Sequence, residues 1–133
     1  RVVGVIPEFF LNNEQPIEYM EADELIVTKD MRSRKAIMDE RSDAFIVLPG
    51  GIGTLEEATE IMSMKQLGLT EKPIVFINTN KFYDAFILNL KRMVELKFAK
   101  PSILNLINIL PDPLSALEFI VAYHPQKTDS KWL

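Results

Sequence analysis

Residues 43–57 read Asp-Ala-Phe-Ile-Val-Leu-Pro-Gly-Gly-Ile-Gly-Thr-Leu-Glu-Glu, and few backbone arrangements accommodate that order. An apolar, partly β-branched run predicts a buried strand, and the residues beyond the glycines begin a helical pattern. Pro49 has no N–H to offer a sheet, so the strand stops there. Gly50, Gly51 and Gly53 can take positive φ and leave the backbone bare to an approaching ligand. Thr54 is placed to act as N-cap, with Leu55 opening the helix. Unpaired N–H groups and the helix dipole then favour an anion, phosphate foremost.

A ligand-free explanation competes with this. Thr54-Leu55-Glu56-Glu57 also fits a capping box, in which the Thr54 hydroxyl and the Glu57 carboxylate satisfy the helix start between them. Two familiar phosphate motifs are excluded. The turn lacks a Gly-Lys-Ser/Thr ending, so it is not a P-loop. Glu56 stands where the dinucleotide fingerprint needs its third glycine.

Pro49-Gly50-Gly51-Ile52-Gly53-Thr54-Leu55-Glu56-Glu57 resembles the PGGxGTxxE motif of the LOG (Lonely Guy) family. Those proteins are cytokinin riboside 5′-monophosphate phosphoribohydrolases, long mislabelled lysine decarboxylases. Asp30-Met31-Arg32-Ser33-Arg34-Lys35-Ala36-Ile37-Met38 resembles the family's second motif, with Arg32 where histidine is common. Gln66-Leu67-Gly68 and Lys72-Pro73 are also typical, and the similarity runs from about residue 2 to about residue 120. The resemblance implies a Rossmann-like fold with both motifs lining a nucleotide site, and a homodimer. It also implies that Arg34 and Glu57 are catalytic, and that Glu14, Lys35, Gly50, Gly51, Ile52, Gly53, Thr54 and Glu56 bind substrate.

The chain has 133 residues, 47% of them apolar, enough for one domain with a sizeable core. A net charge of −4 argues against a general nucleic-acid or membrane-surface binder. There is no cysteine, and the single histidine, His124, reads as a surface or cap residue. No apolar stretch is long enough to span a bilayer and no signal-peptide pattern is present, which points to the cytoplasm.

Taken in order, residues 2–6 read as a strand ending at Pro7, and 8–23 as a loop with a short helical turn. Residues 24–28 form the next strand, and Asp30 caps a helix to about Arg41. Arg34 and Lys35 sit early in that helix, where the dipole disfavours cations. An anionic ligand would explain them, and so would a solvated basic face. A helix follows over 55–67, with Ile61, Met62 and Leu67 as core candidates and Gly68 as its stop. Residues 73–78 form a strand, 83–97 a helix, 106–110 a short strand and 113–122 a final helix begun by Asp112-Pro113. The tail over 125–133 is polar and reads as loose.

Alternating short strands and helices imply a parallel α/β sheet with helices on both faces. The glycine turn and the Arg34 helix both begin at carboxyl ends of strands, where such sheets bind ligands. The chemistry expected is hydrolysis of the N-glycosidic bond of a nucleoside 5′-monophosphate through an oxocarbenium-like sugar, with no metal or redox cofactor. Glu57 is the first candidate carboxylate and Glu56 the second; successive helical side chains point about 100° apart, so the two cannot share a role. A non-catalytic binder of a nucleotide or of molybdenum cofactor is the alternative; an amino-acid decarboxylase has little in the residues to support it. In the resembling family the strand at 2–6 lies mid-domain, after strand–helix units with their own glycine turns. The expectation is therefore that these residues are the C-terminal part of a larger domain.

Overall fold

The computed structural model describes residues 1–11 and 21–125. It forms two compact units, one over residues 1–42 and the other from Asp43 onward.

The first unit contains β1 (Val3–Pro7), α1 (Glu8–Leu11), β2 (Glu24–Thr28) and α2 (Met31–Glu40). β1 and β2 pair in parallel, from Val3 opposite Glu24 to Pro7 opposite Thr28. Pro7 is thus the last residue of the strand rather than its stop, a place where a missing N–H is tolerated. Asp30 caps α2 as expected, its carboxylate accepting from the Ser33 N–H at 2.7 Å. Arg41 closes that helix and binds the Glu24 carboxylate through two contacts of 2.7 and 3.2 Å, tying the end of α2 to the start of β2.

The second unit contains β3 (Phe45–Val47), α3 (Ile52–Gln66), β4 (Ile74–Ile77), α4 (Asp84–Glu95), β5 (Asn108–Leu110) and α5 (Pro113–Val121), with short 3-10 turns at Thr79–Lys81 and Pro101–Asn105. The strands form a parallel sheet in the order β3-β4-β5. The described strands thus make two sheets rather than one.

Central β4 explains its own composition. Ile74 and Phe76 enter one core with Val47, Ala58, Met62, Tyr83 and Leu90. Val75 and Ile77 enter another with Ala116 of α5. A parallel strand covered on both faces is apolar at every position, not at alternate ones. Each such side chain contributes about 1.5–3 kcal/mol relative to exposure. Helices therefore lie on both faces of this sheet, as the alternating pattern predicts. Leu67 is not part of the core: it is 49% exposed and forms the C-cap of α3. Gly68 follows with φ of 73°, the Gly68 N–H donating to Lys65 O and the Leu69 N–H to Met64 O. That is a Schellman closure, and among the described residues it is the one place where a glycine adopts positive φ.

Among the described residues of this unit, one charged side chain is buried. Lys65, 2% exposed, donates through Nζ to Lys72 O at 2.8 Å and to the Tyr123 hydroxyl at 3.1 Å. Its ammonium also lies 5.2 Å from the centroid of the Tyr123 ring, and the Tyr123 hydroxyl donates to Glu71 O.

Candidate functional site

The glycine turn leaves β3 at its carboxyl end and enters α3 three residues earlier than expected. Gly51, not Thr54, is the N-cap, with extended backbone, and the Leu55 N–H makes the first helical bond to Gly51 O at 3.2 Å. Thr54 is the third residue of the helix, so neither the threonine cap nor the capping box forms. No side chain caps α3. The N–H groups of Ile52, Gly53 and Thr54 therefore have no acceptor within the helix, and they point out of a dipole's positive end.

None of the three turn glycines has positive φ, so conformational freedom is not why they are glycines. Space explains one of them. A Cβ on Gly50 would lie 2.3 Å from Thr54 Oγ1 and 2.9 Å from Thr54 Cβ, so the threonine side chain lies directly against the Gly50 backbone. Gly51 and Gly53 face nothing within 4 Å. Their backbone is open where a side chain would stand, and Ile52 between them is 84% exposed. Glu57 is half-buried in the next turn of α3, and Glu56 beside it is exposed.

The loop after β4 approaches the same turn. The Tyr83 hydroxyl donates to Leu48 O at 2.5 Å. Burial pushes the Tyr83 phenol above the usual tyrosine range, so it stays protonated and able to donate.

The other candidate residues belong to the first unit. Arg34 and Lys35 are half-buried on α2, and Arg32 is exposed. Arg34 donates through Nε to Val5 O at 3.0 Å. Because Val2 O accepts from the Glu24 N–H, alternate carbonyls of β1 face β2, and Val5 O faces the opposite edge. Arg34 thus covers an edge carbonyl of β1 in addition to carrying its charge. Glu14 lies outside the described residues, as does the tail from residue 126. Among the described residues, no three His, Cys, Asp or Glu side chains cluster as a metal site would require.

A family model described as "possible lysine decarboxylase" matches residues 1–120. The chain belongs to that family. Members of the possible lysine decarboxylase family similar to it include a rice (Oryza sativa subsp. japonica) protein named probable cytokinin riboside 5′-monophosphate phosphoribohydrolase LOGL6. The two are 39% identical over 94% of this chain and 49% of the relative. Arabidopsis thaliana LOG6, with the same probable activity in its name, is 38% identical over 94% of this chain and 61% of its own length. LOG5 from the same plant, named cytokinin riboside 5′-monophosphate phosphoribohydrolase, is 36% identical over 93% of this chain and 54% of its own length. The chain thus spans about half the length of the curated relatives it matches.

Two residues of this family member escaped the sequence analysis. Tyr83 carries no sequence signal of its role, because its partner lies 35 positions away. Lys65 sits on a helix where a lysine ordinarily reads as solvated.

Proposed function

We propose that this protein hydrolyses the N-glycosidic bond of a nucleoside 5′-monophosphate, releasing the base and ribose 5-phosphate. The observation that carries the reading is the uncapped start of α3, where bare Gly51 and Gly53 precede a carboxylate one turn into the helix. The names of the relatives support a phosphoribohydrolase over the decarboxylase of the family description.

In this reading the N–H groups of Ile52, Gly53 and Thr54 hold the 5′-phosphate. The C1′–N bond breaks as positive charge builds on the ribose, and the Glu57 carboxylate stabilises that charge or activates the incoming water. Water oxygen ends on C1′, and a proton ends on the departing base. Arg34 suits phosphate oxygens or the leaving base through its planar fork, and Lys35 adds charge. The substrate class named for the relatives, cytokinin riboside 5′-monophosphates, is the first to test, with AMP beside it.

The test is incubation with each nucleotide, with base and ribose 5-phosphate followed by chromatography. Base release that Glu57→Gln abolishes, with nucleotide binding retained, supports the reading. Binding without base release by the unaltered chain, or release of carbon dioxide from lysine, would overturn it.

A further inference from the structure

The loop after β4 is unused by the reading above, yet it fixes the base of the glycine turn. Tyr83 is 1% exposed, and its hydroxyl holds Leu48 O. Leu48 immediately precedes Pro49, and its side chain is 57% exposed, so packing of that side chain does not hold the strand end. The tyrosine itself is tightly placed. Its N–H donates to Asn78 Oδ1 at 2.7 Å, and Asn78 Nδ2 donates to Asp84 Oδ1 at 2.8 Å. The Asn78 N–H donates to Leu110 O of β5 at 2.7 Å. The Tyr83 ring meets Phe76 of β4 edge-on, with centroids 4.9 Å apart. Between these anchors Asn80 and Lys81 hold φ of 52° and 61° without being glycine. Such backbone persists where the surroundings over-determine it.

We propose that Tyr83 is a positioning residue for the glycine turn: through Leu48 O it sets where the start of α3 presents its N–H groups to a phosphate. The inference rests on the reading of that turn as a phosphate cradle. It extends the functional surface to the loop after β4. A buried hydroxyl that merely satisfies a carbonyl would contribute to stability and leave the turn's behaviour unchanged.

The experiment uses the full chain with Tyr83→Phe, which keeps the ring and removes only the hydroxyl. Amide hydrogen exchange at Leu55, whose N–H makes the first bond of α3 to Gly51 O, should accelerate. KM for the nucleotide should rise by roughly fivefold, the equivalent of one ordinary hydrogen bond, with kcat little changed. Leu90→Val, in the core under α4, serves as a control of similar melting temperature and should leave both readouts alone. Asn78→Ala, which frees the Tyr83 N–H, should act in the same direction as Tyr83→Phe and replaces it if that variant does not fold. Unchanged exchange at Leu55 in the variant, or equal effects from Leu90→Val, would overturn the proposal. If the unaltered chain neither binds nor cleaves nucleotides, the functional reading fails, while exchange at Leu55 still decides whether Tyr83 positions the turn.

Discussion

Gly53→Ala separates the helix start as a structural device from the helix start as a phosphate cradle. Gly53 is the second residue of α3 and has negative φ, and an added Cβ meets nothing within 4 Å. Alanine therefore enters without strain and restricts the unfolded chain more than glycine does. In a helix interior that exchange is worth about 1 kcal/mol; in a first turn, about 0.5–1 kcal/mol is expected. For a chain of this size the melting temperature should rise by about 2–8 °C. The methyl group would, however, add bulk to the bare backbone that the proposed cradle offers to a phosphate. If phosphate sits there, affinity should fall tenfold or more, a loss of about 1.4 kcal/mol or greater. Thermal unfolding by circular dichroism and base release across nucleotide concentrations measure the two effects separately. The expected result is a more stable and less active protein. A stabilised variant with unchanged KM would refute the cradle, and a destabilised one would refute the conformational reasoning.

Gly50→Ala should do the reverse and destabilise by about 1–3 kcal/mol, because its methyl runs into Thr54; the denaturant midpoint reads this directly. Arg34→Ala should lower activity and also cost about 1 kcal/mol, since Val5 O loses its donor; faster amide exchange in β1 would report the structural share. Lys97 occupies the left-handed position after α4, with φ of 63° and the Phe98 N–H donating to Met93 O at 2.8 Å. Lys97→Gly should therefore stabilise by about 1 kcal/mol in a thermal melt, whereas Lys97→Ala should not. The helix caps Asp30 and Asp112 are held below the usual aspartate range, chiefly by the N–H groups of Ser33 and Ser115 and then by the serine hydroxyls. The unfolded chain takes up these protons first, so their stabilisation is present above the ordinary aspartate pKa and is lost as pH falls through the lowered folded values. Asp112→Asn keeps the cap but cannot titrate, so it should flatten the stability curve below about pH 4.

What was legible in the sequence was local. Asp30 and Asp112 announce their helices because a capping carboxylate acts within three residues, and β4 announces itself because burial on both faces removes every polar position. The start of α3 was misplaced because Thr54 is the better cap by chemistry, while Gly51 already has the extended backbone a cap needs and makes no side-chain bond. The division of the strands into two sheets is not written in their alternation with helices, which fixes direction but not neighbour. Leu67 looked like core from its spacing, but the helix had by then reached its cap. The place of Arg34 early in a helix leaves an anionic ligand and a solvated face both open. Its Nε also serves a strand 29 positions earlier, a partner that no local pattern reveals.

The buried ammonium of Lys65 makes that residue a chemical reporter. Amine-reactive reagents need an accessible amine, and Nζ is instead screened and hydrogen-bonded to Lys72 O and the Tyr123 hydroxyl. While Tyr123 stays in place, exposed lysines such as Lys91 and Lys97 should be modified and Lys65 spared. The rate at which Lys65 is eventually labelled then measures how often the end of α5 lifts from the loop at residues 71–72, read by mass spectrometry on the unaltered protein.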